Sequence, residues 1–176
     1  MSIKQTRFLS LCILLIIIIS KQFQILYYLP IMIISLEYLN KNEIYLNTYN
    51  YKQLNTIFIG YVLMVSLERG RPFVFNQGIE MILNSIEHIL FGFVICLKTS
   101  IYYSIFKRIK SLQNVELIKI VIVFNLFGFI NEFFQNWYKH KAIWQLSFDS
   151  RKDIIMNIIG SIIFILLYKK IQKKYL

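Results

Sequence analysis

Residues 116–137 read ELIKIVIVFNLFGFINEFFQNW, and this stretch decides the class of fold. A helix of about 20 mainly apolar residues crosses the hydrocarbon core of a bilayer, and this stretch has that length. Its charged side chains, Glu116, Lys119 and Glu132, lie toward its two ends. The stretch therefore predicts a membrane-spanning helix that carries a few polar groups.

Apolar segments elsewhere in the chain extend this prediction to a bundle. Residues 8–28, 81–105 and 153–169 are apolar over a comparable length, and the last of them is slightly short. The whole chain of 176 residues is 57% hydrophobic and only 16% charged, whereas about a quarter of the residues in a soluble domain are charged. We expect an all-α polytopic transmembrane helix bundle with about four spans.

The basic residues predict the orientation of this bundle. The net charge is +11, and Lys and Arg cluster at the ends of the apolar segments, around residues 4–7, 107–110 and 169–174. Loops rich in Lys and Arg stay in the cytoplasm, so both termini of this multi-pass protein are predicted to be cytoplasmic. The loop 138–152 is also basic, which opposes this orientation. Because the charge follows the spans, nucleic acid is not an expected partner.

The chain is expected to have two regions. Residues 1–80 are interpreted as an uncleaved first span followed by an outer-face or interfacial region, and residues 81–176 as a region of three transmembrane helices. Cys12 and Cys96 both lie in apolar segments, where a thiol usually behaves as a small hydrophobic side chain. No metal or cofactor is predicted.

Polar side chains recur at helical spacing on the last three predicted spans. Such groups are costly in a bilayer and usually have a partner or a function there. In the predicted orientation they converge on the extracytoplasmic leaflet and form a polar pocket. The candidate pocket residues are Glu87, His88, Glu132, Gln135, Arg151, Asp153 and Asn157, and the glycines expected to allow close helix packing are Gly92, Gly128 and Gly160.

These residues leave several kinds of chemistry open. His88 with Glu132 and Asp153 could perform acid–base catalysis, although no nucleophile motif accompanies them. The same groups could bind a lipid head group, with membrane lipids as the partners. They could also only hold the helices together through hydrogen bonds.

The order of these polar motifs resembles a known family. The motifs are Glu87-His88-Ile89-Leu90-Phe91, then Glu132-Phe133-Phe134-Gln135, then Asp153-Ile154-Ile155-Met156-Asn157-Ile158-Ile159-Gly160. Over about residues 81–170 this pattern resembles the VanZ-like family of small bacterial membrane proteins. Members of that family usually have Asp-Lys shortly before the His, where this chain has Asn84-Ser85.

The resemblance implies a place in the bacterial cytoplasmic (inner) membrane and a role in the cell envelope. The protein that gives the family its name is an accessory factor in resistance to a glycopeptide antibiotic, so the expected function is that of an accessory factor. It would bind a lipid, a lipid-linked cell-wall precursor or a glycopeptide in the outer-leaflet pocket. The alternatives are a membrane-embedded hydrolase or transferase acting on a lipid-linked phosphate, and a structural membrane subunit without a ligand.

Overall fold

The computed structural model describes three stretches of the chain, residues 76–109, 111–140 and 146–175. It also describes isolated residues between 8 and 15 and between 56 and 67. The side chains at 139, 140, 169 and 171–175 lie outside this description. The three stretches contain one long helix each and no strand, so the described part of the chain is all-α.

Helix α1 spans Gln77–Lys107 and has a defined cap at each end. The Asn76 side chain accepts a hydrogen bond of 2.8 Å from the Gly78 amide, which satisfies one of the free amides of the first turn. The helix ends at Arg108, which has a left-handed backbone with φ of 55°. The Arg108 and Ile109 amides donate back to carbonyls of the last turn, as is typical of helix C-termini.

Helices α2 and α3 span Asn114–His140 and Phe148–Tyr175. At the start of α2, Glu116 Oε2 accepts a hydrogen bond of 2.7 Å from the Gln113 amide, which is half of a capping box. At the start of α3, the Ser147 hydroxyl accepts a hydrogen bond of 3.1 Å from the Ser150 amide. Both helices therefore begin where short polar side chains can cap them.

The three helices run up, down and up. Helix α2 is antiparallel to α3, and Asn125 near its middle donates a hydrogen bond of 2.9 Å to the Ser161 hydroxyl. Helices α1 and α3 run parallel and approach closely at two glycines. A Cβ atom added at Gly92 would lie 2.5 Å from the backbone oxygen of Asn157, and one at Gly160 would clash with the backbone oxygen of Ile89. The small residues thus let the two backbones meet directly.

The apolar core lies mainly between α1 and α3. Its most completely buried side chains include Val94, Ile101 and Phe164. Helix α2 covers only one side of this pair, and most of its large apolar side chains, such as Phe127 and Ile122, are exposed. Exposed apolar side chains of this density are typical of a helix that faces lipid rather than water.

Two of the described helices are long and apolar enough to cross a membrane. They are Gln77–Lys107 and Asn114–Tyr138. The all-α class predicted from the sequence is therefore confirmed for the described residues. Four spans were predicted, and two of the described helices have the length and apolarity of a span. Each helix also extends beyond its predicted apolar segment, because polar turns and caps continue the helix at both ends.

The predicted first span and outer-face region lie almost wholly outside the described residues. Among the exceptions, Ile57, Gly60 and Met64 are helical and buried. Gly60 faces the Val94 side chain so closely that a Cβ atom added there would clash with it. Gly60 therefore packs against the middle of α1.

Candidate functional site

The centre of the candidate site is the carboxyl group of Asp153, one and a half turns into α3. His88 Nε2 of α1 lies 3.3 Å from Asp153 Oδ2. One turn earlier on α1, Asn84 Nδ2 donates a hydrogen bond of 2.8 Å to Asp153 Oδ1. Asp153 is buried, and buried carboxylates are stable only when other groups pair with them. Both of its oxygens therefore interact with side chains of a second helix.

Asn157 lies one turn deeper than Asp153 on the same face of α3. It lies between the other two helices: its backbone meets Gly92 of α1, and its Nδ2 lies 3.8 Å from the place of a Cβ at Gly128 of α2. The residue is only 5% exposed. Its Oδ1 atom is buried and has no hydrogen-bond partner among the described residues. A buried polar atom in that state is uncommon and costs free energy.

Glu132 of α2 belongs to the same level of the bundle. It follows Gly128 by one helical turn, and Asp153 precedes Asn157 by one turn on the antiparallel α3. Because Gly128 and Asn157 are adjacent across the helix pair, positions 132 and 153 are level. Glu132 is 5% exposed and interacts with another residue of the protein. Two buried carboxyl groups therefore lie at the same height.

The outer rim of the site contains residues that the sequence analysis missed. Asn136, one turn beyond Glu132, is buried, and its Oδ1 accepts a hydrogen bond of 3.2 Å from the Ser147 amide. The Ser147 and Ser150 hydroxyls are 3.2 Å apart. The spacing of Asn136 from Glu132, four residues on a predicted helix, was a signal that could have identified it.

Two basic residues next to Asp153 have different surroundings. Lys152 Nζ lies 2.9 Å from Asp149 Oδ1 and 3.9 Å from Asp153 Oδ1, and its side chain is largely buried. Arg151 is exposed, and its Nε donates a hydrogen bond of 2.9 Å to the Leu146 carbonyl. The Arg151 side chain therefore bonds to the backbone just before α3, whereas Lys152 places a positive charge beside the cluster.

The predicted pocket residues thus separate into two groups. His88, Asp153 and Asn157 come together with Asn84, and Glu132 is level with them. Gln135 and Arg151 are exposed, and Glu87 is partly buried. Arg151 precedes Asp153 by two positions, and residues two apart lie on opposite sides of a helix, so adjacency in sequence did not bring it into the cluster.

The glycines predicted to pack helices also differ from one another. Gly92 and Gly160 meet the backbone of the facing helix directly. Gly128 instead leaves space beside the amide of Asn157, with an ordinary van der Waals distance of 3.8 Å. The first two therefore set the distance between α1 and α3, and the third makes room at the candidate site.

The groups in the cluster can form hydrogen bonds and transfer protons. Within the described stretches, no group of three or more His, Cys, Asp or Glu side chains is arranged to hold a metal ion. His88 and Asp153 are close enough for the carboxylate to orient the imidazole, an arrangement found in both structural and catalytic pairs. The carboxyl groups and the Asn157 oxygen together form a site rich in hydrogen-bond acceptors.

Comparisons with known proteins found no relative of this chain. No family model matches it, and neither a curated protein nor a solved structure is similar to it. The resemblance to the VanZ-like family therefore remains a prediction based on the three polar motifs.

Proposed function

We propose that this chain is an integral membrane protein of the bacterial cell envelope that binds the head group of a lipid or lipid-linked precursor. The binding site would be the polar cluster around Asp153 and Asn157, and the role would be that of an accessory factor of the VanZ-like type. The observation that carries the proposal is the buried Asn157 oxygen without a hydrogen-bond partner in the described stretches. A ligand that donates to this atom would remove the cost of its burial.

The proposed setting has four spans in the inner membrane, with both termini in the cytoplasm. Helices α1 and α2 have the length and apolarity of spans. Helix α3 would cross with the apolar part of its length, residues 153–169, while the lysines after it reach the cytoplasmic surface. In this topology Asn84, His88, Glu132 and Asp153 all lie in the extracytoplasmic leaflet, where a head group is accessible from outside.

The test is the retention of lipid by the purified full-length protein. The probe is the total polar lipid extract of bacterial membranes, supplied in detergent micelles, and the readout is the mass of bound lipid in native mass spectrometry. We expect discrete lipid adducts on the unaltered protein. Glu132→Gln and Asp153→Asn should reduce their occupancy about tenfold, as expected when a charge-assisted hydrogen bond of about 1.5 kcal/mol is lost.

Two matched variants control for the loss of a carboxylate on the same helices. Glu116→Gln changes the opposite end of α2, and Asp149→Asn changes a carboxyl group of α3 that is 71% exposed. Both should retain the adducts of the unaltered protein. Equal occupancy in all four variants would contradict the proposal, as would an unaltered protein that retains no lipid.

The closeness of His88 to Asp153 supports one alternative, a hydrolase or transferase acting on a lipid-linked phosphate. In that case His88 would act as acid or base and Asp153 would orient it. The assay is release of inorganic phosphate from a polyprenyl diphosphate by the reconstituted protein. If the protein releases phosphate, and His88→Ala abolishes this turnover while lipid adducts persist, the function is enzymatic and not binding alone.

A further inference from the structure

We propose that the group received by this site is a primary ammonium, as in an aminophospholipid head group or the free amine of a peptide. This inference rests on the proposed function and specifies the ligand class of the same cluster. It begins from the Asn157 Oδ1 atom, an acceptor that is buried without a hydrogen-bond partner in the described stretches. Since an oxygen can only accept, its missing partner must be a donor.

The neighbouring groups favour a donor that also carries positive charge. Asp153 lies one turn from Asn157 toward the start of α3, and Glu132 is at the height of Asp153 on α2. Both carboxyl groups are buried. An ammonium group has three donors and a positive charge, so it can donate to an amide oxygen while its charge is attracted by the carboxylates. In a medium of low polarity that attraction is stronger than in water.

The same surroundings disfavour an anionic group at this depth. Lys152 lies within 2.9 Å of Asp149 Oδ1, so its charge is already shared between two carboxyl groups. The Arg151 side chain is exposed and donates to the Leu146 carbonyl. A phosphate beside Asn157 Oδ1 would lie against an amide oxygen, one helical turn from the buried carboxyl of Asp153, and acceptors close to one another repel. A phosphate of the same lipid could lie further out, near Arg151.

The experiment compares head groups that differ in their amine. The full-length protein in detergent micelles is titrated separately with short-chain phosphatidylethanolamine, its N,N,N-trimethylated counterpart phosphatidylcholine, and phosphatidylglycerol. Apparent affinity is taken from the rise in thermal unfolding temperature, because a ligand that binds only the folded state raises it by mass action. Free ethanolamine and a lysine methyl ester, which carry the amine without the lipid, form further arms.

Two substitutions of Asn157 separate the amide oxygen from the shape of the side chain. Asn157→Leu has nearly the same shape and no acceptor, and should weaken phosphatidylethanolamine binding about tenfold, the effect of about 1.4 kcal/mol. Asn157→Asp keeps an oxygen at the same place and should retain or strengthen it. Asn125→Leu is the matched control, since the Asn125 amide already bonds Val121 O and Ser161 Oγ, and should leave lipid selectivity unchanged.

The expected result is a preference for phosphatidylethanolamine over phosphatidylcholine and phosphatidylglycerol that Asn157→Leu removes and Asn157→Asp preserves. Stabilisation by the soluble amines as well would identify the ammonium group alone as sufficient; stabilisation by the lipid only would identify the aminophospholipid as the source. Preference for phosphatidylglycerol, lost in Glu132→Gln or Asn157→Leu, would overturn the ammonium inference and leave the head-group function standing. If no lipid or amine stabilises the protein in a way that depends on Asn157 or Glu132, the ammonium inference and the head-group function are both overturned.

Discussion

At the scale of single residues, Asp153 links two helices through both of its carboxyl oxygens. It accepts a hydrogen bond from Asn84 at 2.8 Å and lies 3.3 Å from His88. Removing this carboxylate takes a hydrogen bond from Asn84 and an ion-pair partner from His88, both partly buried, and the loss of a partner at such a site costs about 1–3 kcal/mol. The stability of the α1–α3 pair should therefore depend on this one side chain.

We predict that Asp153→Ala lowers the free energy of unfolding by about 2 kcal/mol or more. The measurement is equilibrium unfolding in mixed detergent micelles. Asp149→Ala, on the same helix and facing outward, should change the value by less than about 0.5 kcal/mol, since exposed ion pairs contribute little. Equal losses in the two variants would show that the contacts of Asp153 do not stabilise the bundle.

The Asn125–Ser161 hydrogen bond offers a second residue-scale prediction. It joins α2 to α3 at 2.9 Å, deeper than the candidate site. Interhelical hydrogen bonds in membrane proteins contribute about 0.6 kcal/mol on average. A double-mutant cycle of Asn125→Leu and Ser161→Ala should give a coupling free energy of about that size, whereas strictly additive losses would contradict the bond.

The sequence predicted the members of the site that recur at helical spacing. His88, Asp153 and Asn157 could be identified because a carboxylate, an imidazole and an amide in apolar helices are costly alone. Gln135 also recurs at helical spacing with Asn125 and Glu132, whereas Arg151 was assigned to the pocket because it lies just before the Asp153 motif. A single chain does not show how far each helix rotates about its axis, and that rotation makes both side chains exposed.

At the scale of the elements, the distance between α1 and α3 depends on two glycines. Added Cβ atoms at Gly92 and Gly160 would meet backbone oxygens of Asn157 and Ile89. Backbone atoms cannot move away as the end of a flexible side chain can, so the helices would have to separate along the contact. The apolar core and the Asp153 cluster would both be disturbed.

Alanine substitutions should therefore divide the glycines into two classes. Gly92→Ala and Gly160→Ala should each lower the free energy of unfolding by about 1–3 kcal/mol, the usual cost of overpacking. Gly128→Ala should be neutral or stabilising, because its nearest neighbour would be 3.8 Å away and alanine favours helix by about 1 kcal/mol. Unfolding in mixed micelles checks all three, and a greater loss at Gly128 than at Gly92 would contradict the packing described.

The ends of the helices were harder to predict than their centres. Apolar segments at 81–105 and 153–169 indicated where each helix is buried, but the helices continue to Gln77–Lys107 and Phe148–Tyr175. The extra turns are polar and are fixed by caps, such as the Ser147 hydroxyl that accepts from Ser150. Apolar length alone does not contain that information.

At the scale of the whole molecule, the up-down-up arrangement brings the polar groups of three helices to one end. The His88 turn of α1, the last turns of α2 and the first turns of α3 meet there, while the turn between α1 and α2 lies at the other end. The proposed function therefore depends on which side of the membrane each end occupies. An extracytoplasmic cluster can receive an envelope head group, and a cytoplasmic one cannot.

The most direct test is the accessibility of single cysteines to an impermeant thiol reagent in intact cells, in a Cys12→Ser, Cys96→Ser background. Phe148→Cys reports the polar end, because Phe148 is 76% exposed at the start of α3. Gln113→Cys reports the opposite end, where Gln113 is exposed and its described hydrogen bonds, to Glu116 and Leu117, involve its backbone amide and carbonyl.

We predict that Phe148→Cys is labelled from outside and that Gln113→Cys is labelled only after the membrane is permeabilised. The reverse pattern would place the Asp153 cluster against the cytoplasm and contradict the proposed envelope ligand.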